Sequence, residues 1–66
     1  MQIIINGEAK DVSPDQSLHD IIESLGLNPK AVVAQVNSNI LERKTYQEVL
    51  LTEGDNLELI QFVGGG

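Results

Sequence analysis

The chain has 66 residues, enough for one small domain, and it contains no cysteine and a single histidine. The absence of cysteine excludes disulfide frameworks, thiolate zinc sites and nucleophilic thiols, and His19 alone cannot form a metal site. We therefore expect no bound metal or cofactor and no enzyme activity in this chain. Ten acidic against four basic side chains give a net charge of −6, which disfavours nucleic acid and membrane surfaces and favours a basic protein partner.

The N-terminal segment predicts a β-hairpin rather than a targeting or membrane segment. Its apolar run is only Ile3-Ile4-Ile5 and no basic segment precedes it, so we expect a cytoplasmic protein. These β-branched residues indicate a first strand over residues 1–5. Asn6-Gly7 favours a two-residue type I′ turn, and residues 8–12 then form the second strand.

One helix is predicted over residues 18–25. Ser17 is the expected N-cap, with Asp20 completing a capping box, and Gly26 is the expected C-cap. The apolar residues of this segment recur at three- and four-residue spacing and predict one buried stripe: Leu18, Ile21, Ile22 and Leu25. His19, in the first turn, is expected at the surface.

The second half of the chain predicts three strands and one helical turn. In chain order these are a strand over 31–36, a turn over 37–39, a short strand over 40–41, a turn of helix over 44–47 and a last strand over 56–62. Tyr46 is expected to be a half-buried packing group rather than a site residue.

The order hairpin, helix, strand, short strand, strand predicts an α+β fold. It fits the β-grasp arrangement, a mixed sheet of four to five strands whose first and last strands lie side by side in the centre, with one main helix packed on one face. We expect a β-grasp domain over residues 1–63 and a flexible glycine tail over residues 64–66.

Strand alternation divides the sheet into a face covered by the helix and an open face. The residues predicted to point inward are Ile3, Ile5, Val32, Ala34, Val36, Leu57 and Leu59. Glu58 and Gln35 indicate the open face. Four apolar residues share that face and could form one partner-docking patch beside the tail: Ile4, Val33, Ile60 and Phe62.

The terminal glycines are the most unusual feature of the chain. Gly64, Gly65 and Gly66 lack side chains and could enter a narrow channel of a partner, leaving the carboxylate of Gly66 unhindered. A carboxylate is ionised at neutral pH and resists attack at its carbon, but it can attack phosphorus. Chemistry at this end would begin with ATP bound by a partner, because no phosphate-binding glycine loop is present. A frayed terminus without function is the alternative.

Several segments resemble the ThiS family of ubiquitin-like sulfur carrier proteins. They are residues 3–8, 32–37, 40–43, Gly54-Asp55 and Gly65-Gly66, and their order, spacing and total length carry the resemblance together. Two departures are Leu41-Glu42-Arg43, where the family often has Val-Pro-Arg, and Tyr46, where it often has Trp.

The resemblance implies a carrier whose terminal carboxylate is the reactive group. A ThiF-type adenylyltransferase would activate Gly66 with ATP and Mg²⁺, and sulfur from cysteine, mobilised by a desulfurase, would convert it to a thiocarboxylate. Thiazole synthase would then receive the sulfur for the thiazole of thiamine. Gly64 and Gly65 would be the flexible approach to Gly66.

Two other functions remain open from the sequence. The small subunit of molybdopterin synthase shares the tail and its activation, although the shorter length and the Ile-Asn-Gly-Glu segment favour the thiamine branch. A β-grasp interaction module acting only through its folded surface is the second alternative, and it would not need the glycines.

Overall fold

The computed structural model describes residues 1–61, which form a five-stranded sheet, one α-helix and two 3-10 turns. The strands are β1 Gln2–Ile5, β2 Glu8–Asp11, β3 Val32–Val36, β4 Asn39–Ile40 and β5 Asn56–Gln61; the helix α1 is Leu18–Ser24; the 3-10 turns are Pro29–Ala31 and Arg43–Thr45. The predicted elements are confirmed, with ends that differ by one or two residues.

The sheet order is β2-β1-β5-β3-β4. The first and last strands lie side by side and parallel near its centre, and each carries an antiparallel neighbour on its other side. This is the predicted β-grasp arrangement. Within residues 1–61, no helix is long and apolar enough to cross a membrane.

Both hairpins turn through two residues with positive φ. Asn6 and Gly7 have φ of 49° and 84°, as the type I′ prediction requires. The second turn is Asn37-Ser38, with φ of 51° and 74°, and Asn39 already pairs with Val36. The predicted three-residue turn over 37–39 is therefore wrong by one residue.

Helix α1 begins at the predicted N-cap, Ser17, whereas its C-cap is Leu25, one residue before the predicted Gly26. The Ser17 hydroxyl accepts from the Asp20 N–H at 3.1 Å, and the Asp20 carboxylate accepts from the Ser17 N–H at 3.4 Å. Gly26 follows the last turn with φ of 79°, and its N–H donates to the carbonyl of Glu23 at 3.0 Å. A second bond closes the end, from the Leu27 N–H to the Ile22 carbonyl at 3.2 Å, as in a Schellman motif.

The core lies between α1 and the inner face of the sheet. Its buried side chains are Ile3, Ile5, Leu18, Ile21, Ile22, Val32, Ala34, Tyr46, Leu51, Leu57 and Leu59. The predicted strand phases are thus confirmed, except that Val36 is only partly buried. Leu25 does not complete the predicted stripe, because it is the C-cap residue and remains 37% exposed.

Tyr46 is more buried than predicted, with only 2% of its surface exposed. Its hydroxyl accepts from the Ala34 N–H and donates to the Val32 carbonyl, both at 3.0 Å. Strand β4 pairs only with Gln35 and Val36 of β3. The tyrosine hydroxyl therefore bonds to backbone groups of β3 that a longer β4 would have paired. The prediction of a packing group is confirmed.

Candidate functional site

Strand β5 precedes the terminal glycines, whose carboxylate is the predicted reactive group. Gly64, Gly65 and Gly66 lie outside the described residues, as does Phe62. The structure therefore describes how the strand that precedes them is held. Leu57 and Leu59 anchor β5 in the core with 0% and 8% exposure.

Two turn asparagines hold β5 by main-chain-like hydrogen bonds. The Asn6 side chain accepts from the Leu59 N–H at 2.9 Å and donates to the Leu59 carbonyl at 3.3 Å, so it continues the pairing beyond the end of β1. The Asn37 side chain accepts from the Asn56 N–H at 2.9 Å. These bonds hold β5 at its first residue, Asn56, and at Leu59 in its second half.

Asp55 stabilises the turn that begins β5. Its carboxylate accepts from the Thr52 N–H at 2.8 Å, from the Thr52 hydroxyl at 3.0 Å and from the Asn37 amide at 3.0 Å. The backbone bond from Thr52 is the main cause that lowers the pKa of Asp55 below its ordinary value, and the two side-chain bonds add to it against an opposing effect of partial burial.

The structure brings together part of the predicted docking patch. Val33 and Ile60 are direct cross-strand partners on the open face, and Ile60 is 51% exposed while Val33 is half-buried. Ile4 is also exposed on this face, but its partner is Asn56, four positions before Ile60. At the usual rise of a strand this separates the two isoleucines by about 13 Å, with Glu58 between them.

Ile40 is an apolar residue of the open face that the sequence reasoning did not include. It pairs with Gln35, which places it on the same face as Val33, and it is 70% exposed. A shallow depression lined by Val33, Ile40 and Leu41 lies between them. The two-residue length of the Asn37-Ser38 turn places Ile40 on this face, because that length sets the register of β4, and the sequence alone does not reveal it.

His19 is partly covered rather than fully at the surface, with 26% of its side chain exposed. Its Nδ1 atom lies 3.7 Å from a carboxylate oxygen of Glu23 and 3.9 Å from one of Asp20. The three groups lie within 4.8 Å of one another. Because Asp20 also bonds to the Ser17 N–H in the helix cap, the group is explained by capping and by an i,i+4 pair.

Comparison with known proteins places this geometry among sulfur carriers. The sequence profile of the ThiS family matches residues 3–66. The sulfur carrier protein ThiS of Escherichia coli is 27% identical over 66 residues, covering the whole of both chains. A thiazole synthase of Paramagnetospirillum magneticum is 32% identical over the whole chain, which spans only 20% of the length of that relative.

A solved structure has the same fold. The crystal structure of a thiamine biosynthesis protein, ThiS, from Geobacter metallireducens superposes with a TM-score of 0.82 and 25% sequence identity, and each chain is covered completely. The two proteins thus share one fold over the full length of both chains.

Proposed function

The chain belongs to the ThiS family, and from this premise we propose that it is a sulfur carrier protein of thiamine biosynthesis whose reactive group is the carboxylate of Gly66. The observation that carries the proposal is the extent of the family match, which runs through the three glycines to Gly66. The chain would act as a co-substrate of partner enzymes in the cytoplasm and not as a catalyst itself.

The proposed chemistry begins with activation of a poor electrophile. The Gly66 carboxylate attacks the α-phosphorus of ATP, pyrophosphate leaves, and the resulting acyl-adenylate has a good leaving group. The terminal sulfur of a persulfide formed by a cysteine desulfurase then attacks the acyl carbon, and AMP departs. A thiol reductant cleaves the resulting acyl disulfide, so that one carboxylate oxygen is replaced by sulfur. ATP and Mg²⁺ would be bound by a ThiF-type adenylyltransferase, since this chain has no phosphate-binding glycine loop.

Thiazole synthase is the proposed acceptor of the sulfur. Support comes from the thiazole synthase of Paramagnetospirillum magneticum, in which a segment similar to this whole chain makes up 20% of the protein. A carrier and its acceptor joined in one polypeptide would have a high effective concentration for transfer.

The open face of the sheet is the proposed docking surface for these partners. Its apolar members among the described residues are Val33 and Ile60, which are neighbours, together with Ile4 farther along the sheet. We add Ile40 to this surface because it is exposed on the same side. Phe62 belongs to the predicted patch and lies outside the described residues.

The test is conversion of Gly66 by the activating enzyme. The chain ending at Gly66 is incubated with a ThiF-type adenylyltransferase, ATP, Mg²⁺ and a sulfur source, and intact-mass spectrometry is expected to show replacement of one oxygen by sulfur. A variant that lacks Gly65 and Gly66 should remain unmodified while its amide spectrum over residues 1–61 is unchanged. If the full chain stays unmodified by an enzyme preparation that converts the Escherichia coli ThiS protein, the proposal is wrong.

The docking surface has a separate test. Ile60→Asp should weaken adenylyltransferase binding at least about tenfold, because it places a charge in an apolar contact. Leu50→Asp is the matched control, since Leu50 is 60% exposed, compared with 51% for Ile60, and does not belong to this surface. Equal weakening by both substitutions would contradict the assigned surface.

A further inference from the structure

The positive charges of this acidic chain are concentrated in one cleft. The chain has four basic side chains, and three of them, Lys30, Arg43 and Lys44, line a cleft of about 390 Å³ between α1 and the two 3-10 turns. Glu23 is the one acidic residue among the side chains that line it. Three positive charges against one give this cleft +2, whereas one positive and nine negative side chains elsewhere give −8.

A hydrogen bond across the two turns holds the cleft in shape. The Arg43 Nη1 atom donates to the carbonyl of Lys30 at 2.6 Å, which ties the turn at Arg43–Thr45 to the turn at Pro29–Ala31. The Asn28 side chain stabilises the turn at Pro29–Ala31 by accepting from the Lys30 N–H at 3.0 Å. The guanidinium charge is thereby placed beside the backbone from which the Lys30 side chain extends.

The two lysines of the cleft, Lys30 and Lys44, keep their positive charge exposed to solvent. No ion pair within residues 1–61 includes Lys30, which is exposed. Lys44 lies 3.8 Å from Glu42, but both side chains are more than 70% exposed, and such pairs contribute little. Glu23 is 3.7 Å from His19. The cleft therefore presents a local positive field to an incoming partner.

We infer that this cleft binds an acidic, extended segment of a partner protein. The positive side chains come from two separate turns, which suits several carboxylates spaced along a polypeptide better than one compact anion. The amide side chains of Asn28 and Gln47 also line the cleft and supply groups that hydrogen-bond to a peptide backbone. Arg43 and Lys44 also line the depression beside Val33 and Ile40, so the cleft adjoins the open face of the sheet.

This inference goes beyond the proposed function, and its test needs neither the glycine tail nor ATP. The isotope-labelled chain is titrated with a blocked oligoglutamate peptide and followed by amide NMR. We expect saturable shifts at Lys30, Lys44 and Gln47 that disappear as sodium chloride is raised. A blocked oligoglutamine peptide should produce none of these shifts.

Charge-removing variants locate the interaction. Lys30→Gln and Lys44→Gln should each weaken oligoglutamate binding about threefold, because each removes one partly solvated charge. Lys10→Gln is the matched control: it removes the one basic side chain outside the cleft and should leave the affinity unchanged. All three residues are exposed, so the folded chain should tolerate each change.

Three results would overturn the inference. One is the absence of saturable shifts at the cleft. Another is equal weakening by Lys10→Gln and Lys30→Gln, which would indicate unspecific charge attraction. The third is that inorganic phosphate, at the same concentration as the peptide, displaces it and produces the same amide shifts. That result would make the cleft a small-anion site.

Discussion

Replacing Tyr46 with phenylalanine removes one oxygen atom and two buried hydrogen bonds. The Tyr46 hydroxyl is the partner of the Ala34 N–H and the Val32 carbonyl, each at 3.0 Å, and both residues are 0% exposed. An unsatisfied buried backbone group costs about 1–3 kcal/mol, and two such groups are left, so we expect Tyr46→Phe to lower the free energy of unfolding by about 2–6 kcal/mol. For a domain of this length that is a large part of the total stability.

Urea unfolding at constant m-value measures this loss directly, and Tm should fall by about 4–8 °C for each kcal/mol lost. Amide hydrogen exchange adds a local readout, since the Ala34 amide should lose protection more than other amides of β3. Thr45→Val is the control. The Thr45 hydroxyl donates to the exposed carbonyl of Glu42, and water can replace that bond. The loss of unfolding free energy should therefore stay below about 1 kcal/mol. A Tyr46→Phe loss below about 0.5 kcal/mol, or an Ala34 amide that stays protected, would refute the reasoning.

Three further changes test the elements around β5 and α1. Ser17→Ala removes the helix cap and should destabilise the chain by about 1 kcal/mol in thermal unfolding, whereas an unchanged Tm would contradict the capping role. Asn6→Ala should cost about 2–3 kcal/mol in urea, because it loses both bonds to Leu59 and because alanine tolerates a φ of 49° less well than asparagine does. Asn6→Gly should cost less, since glycine accepts that φ. Because the folded-state pKa of Asp55 is lowered, its stabilising contribution is present above about pH 4 and is lost as pH falls through that pKa. Asp55→Asn should therefore reduce the loss of unfolding free energy at acidic pH. An unchanged acid dependence would contradict this contribution of Asp55.

Local sequence signals were sufficient for the elements of the fold. The Asn6-Gly7 turn, the capping box of Ser17 and the glycine after α1 each depend on residues within a few positions of one another, so their chemistry is readable without the tertiary structure. Alternation along β1 and β5 likewise assigned the buried and open faces correctly.

Register was the point at which local reasoning failed. A turn over 37–39 would have paired Val36 with Ile40 and placed Ile40 on the inner face, whereas the two-residue turn pairs Gln35 with Ile40 and exposes it. Asn37-Ser38 lacks the glycine that usually indicates a type I′ turn, so the sequence does not distinguish the two lengths. The Asn37 side chain donates to Asp55 and accepts from the Asn56 N–H, and these bonds to residues distant along the chain accompany the observed turn.

The amino-acid sequence by itself determined the order of the elements and the inner and outer phases of the central strands, because each depends on residue type and short spacing. Chemistry at Gly66 stays a prediction, which rests on the terminal glycines and on the family resemblance. Only the tertiary structure decided that Tyr46 completes the edge of β3, that Asn6 holds β5 and that three of four positive charges share one cleft. Those features join residues far apart in the chain, and the distances between such residues are set by sheet register and core packing.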